Sequence, residues 1–242
     1  MLPIAAAVAL AGCQGPGLTP PRVTTSPYDS SVGEALWAVV PLRNDSGTTI
    51  LNLDALSDAV VRSCQQIEGV RCLPLNRVLA EMRGLGMTSV ASPSEARVLA
   101  DRLGVNGLII GAVTAFDPYD PPRIGLALAL EGGQAFLGDP GGISVDELRG
   151  SVVGSAPGNG ATARFRSLPS ASVAVVFDGR NHGTQMELRR YARGRHEPGS
   201  AGGWRTYLKS MPLFTEFAAH AAVSRLVDEE RLRLARARVS SR

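Results

Sequence analysis

Lysine is almost missing from this chain. Of its 25 basic residues only Lys209 is not an arginine. Such a bias is a matter of composition, so the positive balance by itself does not point to nucleic acid, and no nucleic-acid partner is expected. Aromatic residues make up only 5%. No later stretch has the ~18 uninterrupted apolar residues of a membrane-crossing helix. Histidine is scarce, at His182, His196 and His220. The cysteines Cys13, Cys64 and Cys72 are as few, and none has zinc-ligand spacing, so no metal is expected. A Walker loop, a dinucleotide fingerprint and a nucleophile elbow are all missing. No cofactor is expected, no catalytic residue is assigned, and the chain reads as non-enzymatic. With 27 glycines and 16 prolines it is rich in loops, yet its apolar fraction of 44% is enough for a globular core.

The N-terminus carries the most specific feature. An apolar run from Leu2 to Leu10 ends in Leu10-Ala11-Gly12-Cys13. This resembles a bacterial lipoprotein signal peptide with its lipobox. The resemblance implies that residues 1–12 are removed. Cys13 is then acylated and membrane lipid is its partner. Gln14 follows the cysteine, and Asp does not; by the sorting pattern that comes with the resemblance, this favours the periplasmic face of the outer membrane. Residues 13–35 are rich in Gly, Pro, Ser and Thr and read as a flexible tether. With Cys13 set aside, Cys64 and Cys72 remain as a pair. Their separation across a helix-to-strand turn at Gly69 fits a disulfide. Two unbridged buried thiols are the alternative.

An α/β domain is expected over 36–178. Leu36–Leu42 reads as a buried strand, and Asn52 or Asp54 opens a helix over Leu53–Ile67. Val70–Pro74 reads as a strand parallel to the first. Leu75–Leu85 is a second helix. Ser92-Pro93-Ser94-Glu95 has the form of a capping box and opens a third. Gly107–Phe116 and Arg123–Glu131 form a hairpin around the turn Asp117–Pro122. Residues 132–168 read as an inserted loop with a short helix near Ser144–Leu148. Ser172–Asp178 restores the sheet. The expected architecture is a mixed sheet of three to five strands covered by helices, with added C-terminal helices.

The segment Trp37–Gly47 resembles the first strand and turn of the amino-terminal domain of the Tol-system periplasmic protein. It is also similar to the periplasmic domain of lipoproteins related to the curli-secretion protein and of activators of penicillin-binding proteins. Ala100–Val113, a helix ending in Leu103-Gly104 before a strand that carries Gly111, is the second landmark. The resemblance covers about residues 36–131 and implies a cell-envelope lipoprotein. It brings no catalytic residue with it.

Residues 179–242 lie outside that resemblance and read as a helical extension packing on the same domain. Gln185–Arg195 is expected as a basic helix, and Trp204–Met211 and Leu213–Val239 as two more, split at Pro212. Arg231–Arg242 is too charged to be buried and is expected to fray. Up to residue 179 the balance is −4, and from Arg180 onward it is +7. Phe214, Phe217 and Leu226 are expected to face the sheet. Arg189, Arg190, Arg193 and Arg205 are then left as a solvent-facing basic surface for an envelope protein or anionic polymer. Trp204, Tyr207 and Phe214 with Arg205 and Lys209 form an aromatic-basic cluster, which core packing also explains. The alternative function is an envelope hydrolase with its site near Asp178 and His182.

Overall fold

The computed structural model describes residues 23–28, 33–132, 171–195 and 201–240. Cys13, the signal-like segment, the 132–168 loop beyond Gly132, and His196 lie outside the described residues.

The elements run β1 (Thr24–Thr25), β2 (Ala35–Val39), β3 (Arg43–Asn44), α1 (Leu53–Gln65), β4 (Ile67–Glu68), β5 (Val70–Cys72), α2 (Leu75–Gly84), α3 (Pro93–Leu103), β6 (Gly107–Asp117), β7 (Arg123–Gly132) and β8 (Ala171–Asp178). Then come α4 (His182–Ala192), a 3-10 turn (Gly203–Arg205), α5 (Thr206–Lys209) and α6 (Met211–Ser240). The main sheet has six strands, ordered β5-β2-β6-β7-β8, with β3 also on β6. β5, β2 and β6 are parallel, as helical connections require, while β6–β7 and β7–β8 are antiparallel. β1 and β4 form a separate parallel pair.

The strand count exceeds the expected range because of β3. Arg43–Asn44 reads as a polar turn, yet it pairs with Ala112 and Val113. Both residues are exposed, so hydropathy gives no sign of the pairing.

Alternation along the strands sorts the core into two layers. Trp37, Val39, Ile109 and Val113 face α1 and α6. Ala38, Val40 and Leu108 face α2 and α3, meeting Val78, Met82 and Leu99. Each large apolar side chain buried in this way contributes about 1.5–3 kcal/mol. Gly107 must lack a side chain, because a Cβ there would stand 2.8 Å from the Trp37 ring.

Local signals set the helix ends. Ser92 accepts from the Glu95 amide, and Glu95 reaches back to the Ser92 amide, completing the capping box. Gly104 ends α3 at φ +65°, a conformation glycine adopts freely. Asn52 caps α1 through the Ala55 amide.

Three helical boundaries differ from expectation. α4 starts at His182, three residues before Gln185, because the Asn181 side chain accepts from the Gly183 and Thr184 amides. The break before the last helix falls at the extended Ser210, not at Pro212. Pro212 sits in the first turn of α6, where a missing N–H leaves no bond unmade. α6 also stays helical through Ser240, and Arg231–Asp228 and Arg233–Glu230 pair one turn apart along it.

α6 belongs to the principal core. Phe214, Phe217 and Leu226 are buried against Ile124, Leu126, Leu128, Leu130 and Phe177 of β7 and β8. Removing α6 would uncover that face of the sheet, so the helix is more than an accessory. No helix among the described residues is long and apolar enough to cross a membrane.

Candidate functional site

Residues 23–28 are not free tether. Thr24 and Thr25 pair with Ile67 and Glu68, and the Ser26 amide donates to Glu68 O at 2.8 Å. The Tyr28 ring meets the Trp37 ring edge-on, with centroids 6.2 Å apart. The Tyr28 hydroxyl donates to Glu230 Oε1 at 3.3 Å. Glu230 is buried and takes a two-pronged contact from Arg233, both arms at 2.6 Å. Burial, followed by the Glu230 charge, pushes the Tyr28 hydroxyl pKa far up, so it stays a donor. Arg231 adds a bond to Thr25 O at 3.1 Å. The first described residues are thereby fastened along α6.

Beside this strap a groove of about 650 Å³ runs between α4 and α6. Its rim includes Val23, Thr24 and Thr25, and its wall includes Tyr191, Phe217 and His220. Tyr191 sits in an aromatic cluster, with ring centroids 5.8 Å from Tyr207, 5.7 Å from Phe217 and 5.0 Å from His220. Burial raises Tyr191 to about 12. Burial, helped by the Arg195 charge, lowers His220 to about 4, so its imidazole is neutral at neutral pH.

Four arginines line the groove: Arg190, Arg195, Arg225 and Arg231. Arg225 pairs with Glu187 and Arg231 with Asp228, both at 2.7 Å. Arg195 lies 4.2 Å over the Tyr191 ring and donates to Tyr191 O at 3.0 Å and Gln66 Oε1 at 3.4 Å. Among the described residues, neither Arg190 nor Arg195 has a carboxylate partner. Nearby Glu216 is held by Arg62.

Arg189, Arg190, Arg193 and Arg205 are all exposed, and Phe214, Phe217 and Leu226 are buried. Only Arg190 of those four lines the groove. Arg205 lies 5.0 Å over the Trp204 ring, and Tyr207 and Phe214 are buried. Arg195, Arg225 and Arg231 escape the sequence reading. Arg195 follows Tyr191 by one helical turn, a visible cue. Arg225 reaches Glu187 only through the tertiary fold.

Asp178 and His182 form no visible constellation. Asp178 Oδ1 accepts from the Arg180 amide at 2.8 Å, closing the turn into α4. His182 is exposed at the first position of α4. Cys64 and Cys72 are free thiols in place of the expected bridge. They lie side by side, since a hydrogen bond between them, together with burial, pushes the Cys64 thiol well up.

No family model matches the chain, and no curated protein matches it in sequence. Among solved structures it is similar to the C-terminal domain of LpoB from Salmonella enterica, at 13% identity and TM-score 0.36, over 43% of this chain and 76% of that one. It is also similar to lipoprotein GNA1162 from Neisseria meningitidis, at 16% identity and TM-score 0.36, over 63% of this chain and 89% of that one. The hypothetical protein CT253 from Chlamydia trachomatis gives 9% identity and TM-score 0.36, over 81% of this chain and 98% of that one. Likeness at this level does not identify a family.

Proposed function

We propose that this chain is a lipid-anchored cell-envelope protein whose α/β domain is a non-enzymatic interaction or assembly module. The observation that carries the reading is Leu10-Ala11-Gly12-Cys13 at the end of an apolar run. It supplies the acylation site, and Gln14 directs the product to the periplasmic face of the outer membrane. The strap at residues 23–28 fits this role. It ties the chain that follows the anchor to β4 and to α6.

The partner surface is the basic side of α4 and the turn before α5. Arg189, Arg190, Arg193 and Arg205 are exposed there and face an envelope protein or an anionic polymer. Exposed charges of one sign steer such partners and fix their orientation. Crosslinking in intact envelopes followed by recovery of the protein tests this. A specific set of envelope partners is expected, and their disappearance at raised salt is part of the expectation. Recovery of the protein alone at every salt concentration would sink the reading.

A further inference from the structure

The groove between α4 and α6 has features that a recognition face does not need. It is concave, at about 650 Å³, within the range of small-ligand sites. Among the described residues its charge is unbalanced: Glu187 and Asp228 are each taken by one arginine, and Arg190 and Arg195 have no carboxylate partner. Arg195 is held in advance, stacked at 4.2 Å over Tyr191 and tied to two oxygen acceptors. A guanidinium fixed in this way keeps its remaining N–H groups for an oxyanion and gives up little freedom on binding. Ser224 and the neutral His220 add uncharged polar groups to the wall.

The position of the groove narrows the choice of ligand. Val23, at its rim, is ten residues from Cys13. Ten residues reach at most about 35 Å. If Cys13 is acylated, the groove is always within that distance of a bilayer surface.

We propose that this groove binds the phosphate of an anionic phospholipid headgroup, with Arg190 and Arg195 as its ligands. The proposal deepens the lipid-anchored reading and rests on it for the source of the phosphate. Contact with the headgroup would hold the domain against the membrane, fixing which surfaces are presented away from it.

The test uses the full chain carrying Cys13→Ser, so that no acyl chain contributes. Sedimentation is measured with phosphatidylcholine vesicles, with and without phosphatidylglycerol. Stronger binding to the phosphatidylglycerol vesicles, weakening with salt, is expected. Arg190→Glu, which disturbs no described contact, and the pair Arg190→Ser with Arg195→Ser should each lower that binding roughly twentyfold. A monomeric short-chain phosphatidylglycerol should shift the His220 ring resonances, placing the ligand in the groove. Equal binding to both vesicle types, or an unchanged Arg190→Glu variant, overturns the proposal. So does capture of inorganic phosphate or an octaglutamate peptide without vesicle binding, which would assign the groove to a soluble anion or an acidic peptide. Because Cys13 is replaced throughout, failure here leaves the acylation reading standing, and failure of acylation leaves this result standing.

Discussion

The Tyr28 hydroxyl donates to the Glu230 carboxylate at 3.3 Å, joining residues 202 positions apart. Glu230 is buried and balanced by Arg233. Removing the carboxylate leaves a partly buried guanidinium without its partner, a change that costs about 3–5 kcal/mol. Glu230→Ala is therefore expected to lower thermal stability steeply. Tyr28→Phe removes the hydroxyl's bond to Glu230 and should cost at least about 1 kcal/mol. It should, however, open residues 23–28 to limited proteolysis. Protection equal to wild type in Tyr28→Phe would show that the strap is held without the Tyr28 hydroxyl.

His220 gives the fold an acid limit. Its pKa falls from an ordinary 6.5 to about 4 on folding, through burial and then the Arg195 charge. The unfolded chain binds the proton more readily, so this contribution is fully present above pH 6.5 and is lost as pH falls toward 4. The loss is on the order of 2–3 kcal/mol at most, reduced by partial solvent access. Thermal melts from pH 7 to pH 4 should show the decline, and His220→Gln should flatten that part of the curve. An unchanged slope in His220→Gln would assign the decline to carboxylates.

The basic face makes a separate demand. Arg189, Arg190, Arg193 and Arg205 are exposed, and surface changes of this kind shift stability by only about 0.5 kcal/mol. Replacing all four with Ser should abolish crosslinking to envelope partners and leave the melting temperature nearly unchanged. Surviving crosslinks would remove these arginines from the partner surface, and unfolding would make them structural.

Cys64 and Cys72 are thiols side by side at the end of α1 and the end of β5. In an oxidising envelope they are expected to bridge. Closing so short a loop should add about 2.5 kcal/mol if the bond is unstrained. Thiol titration of protein unfolded without reductant should then find neither cysteine free. Two reactive thiols would refute the bridge and match the form described here.

How much of this could be read from the chain depended on how local its cause is. The Ser92–Glu95 capping box, the Gly104 stop and the hairpin around Asp117–Pro122 are set by neighbours in sequence, and the structure shows each of them. β3 escaped because Arg43 and Asn44 are exposed, and their pairing with Ala112 and Val113 is set by the sheet. The 23–28 segment read as tether because Ser, Thr and Pro there carry no hydrophobic period. Its anchor points, Glu230 and Arg231, lie at the far end of the chain. The groove was hidden for the same reason. Arg190 was visible as a surface charge, but its meeting with Arg225, Arg231 and His220 comes only from α6 crossing α4.

Lipid anchoring stands or falls on the N-terminus of the protein isolated from membranes. Intact-mass and peptide mass spectrometry should find the chain beginning at a diacylglyceryl-modified Cys13, and Cys13→Ala should release the protein from the membrane fraction. A soluble protein that retains Met1 and an unmodified Cys13 would contradict it.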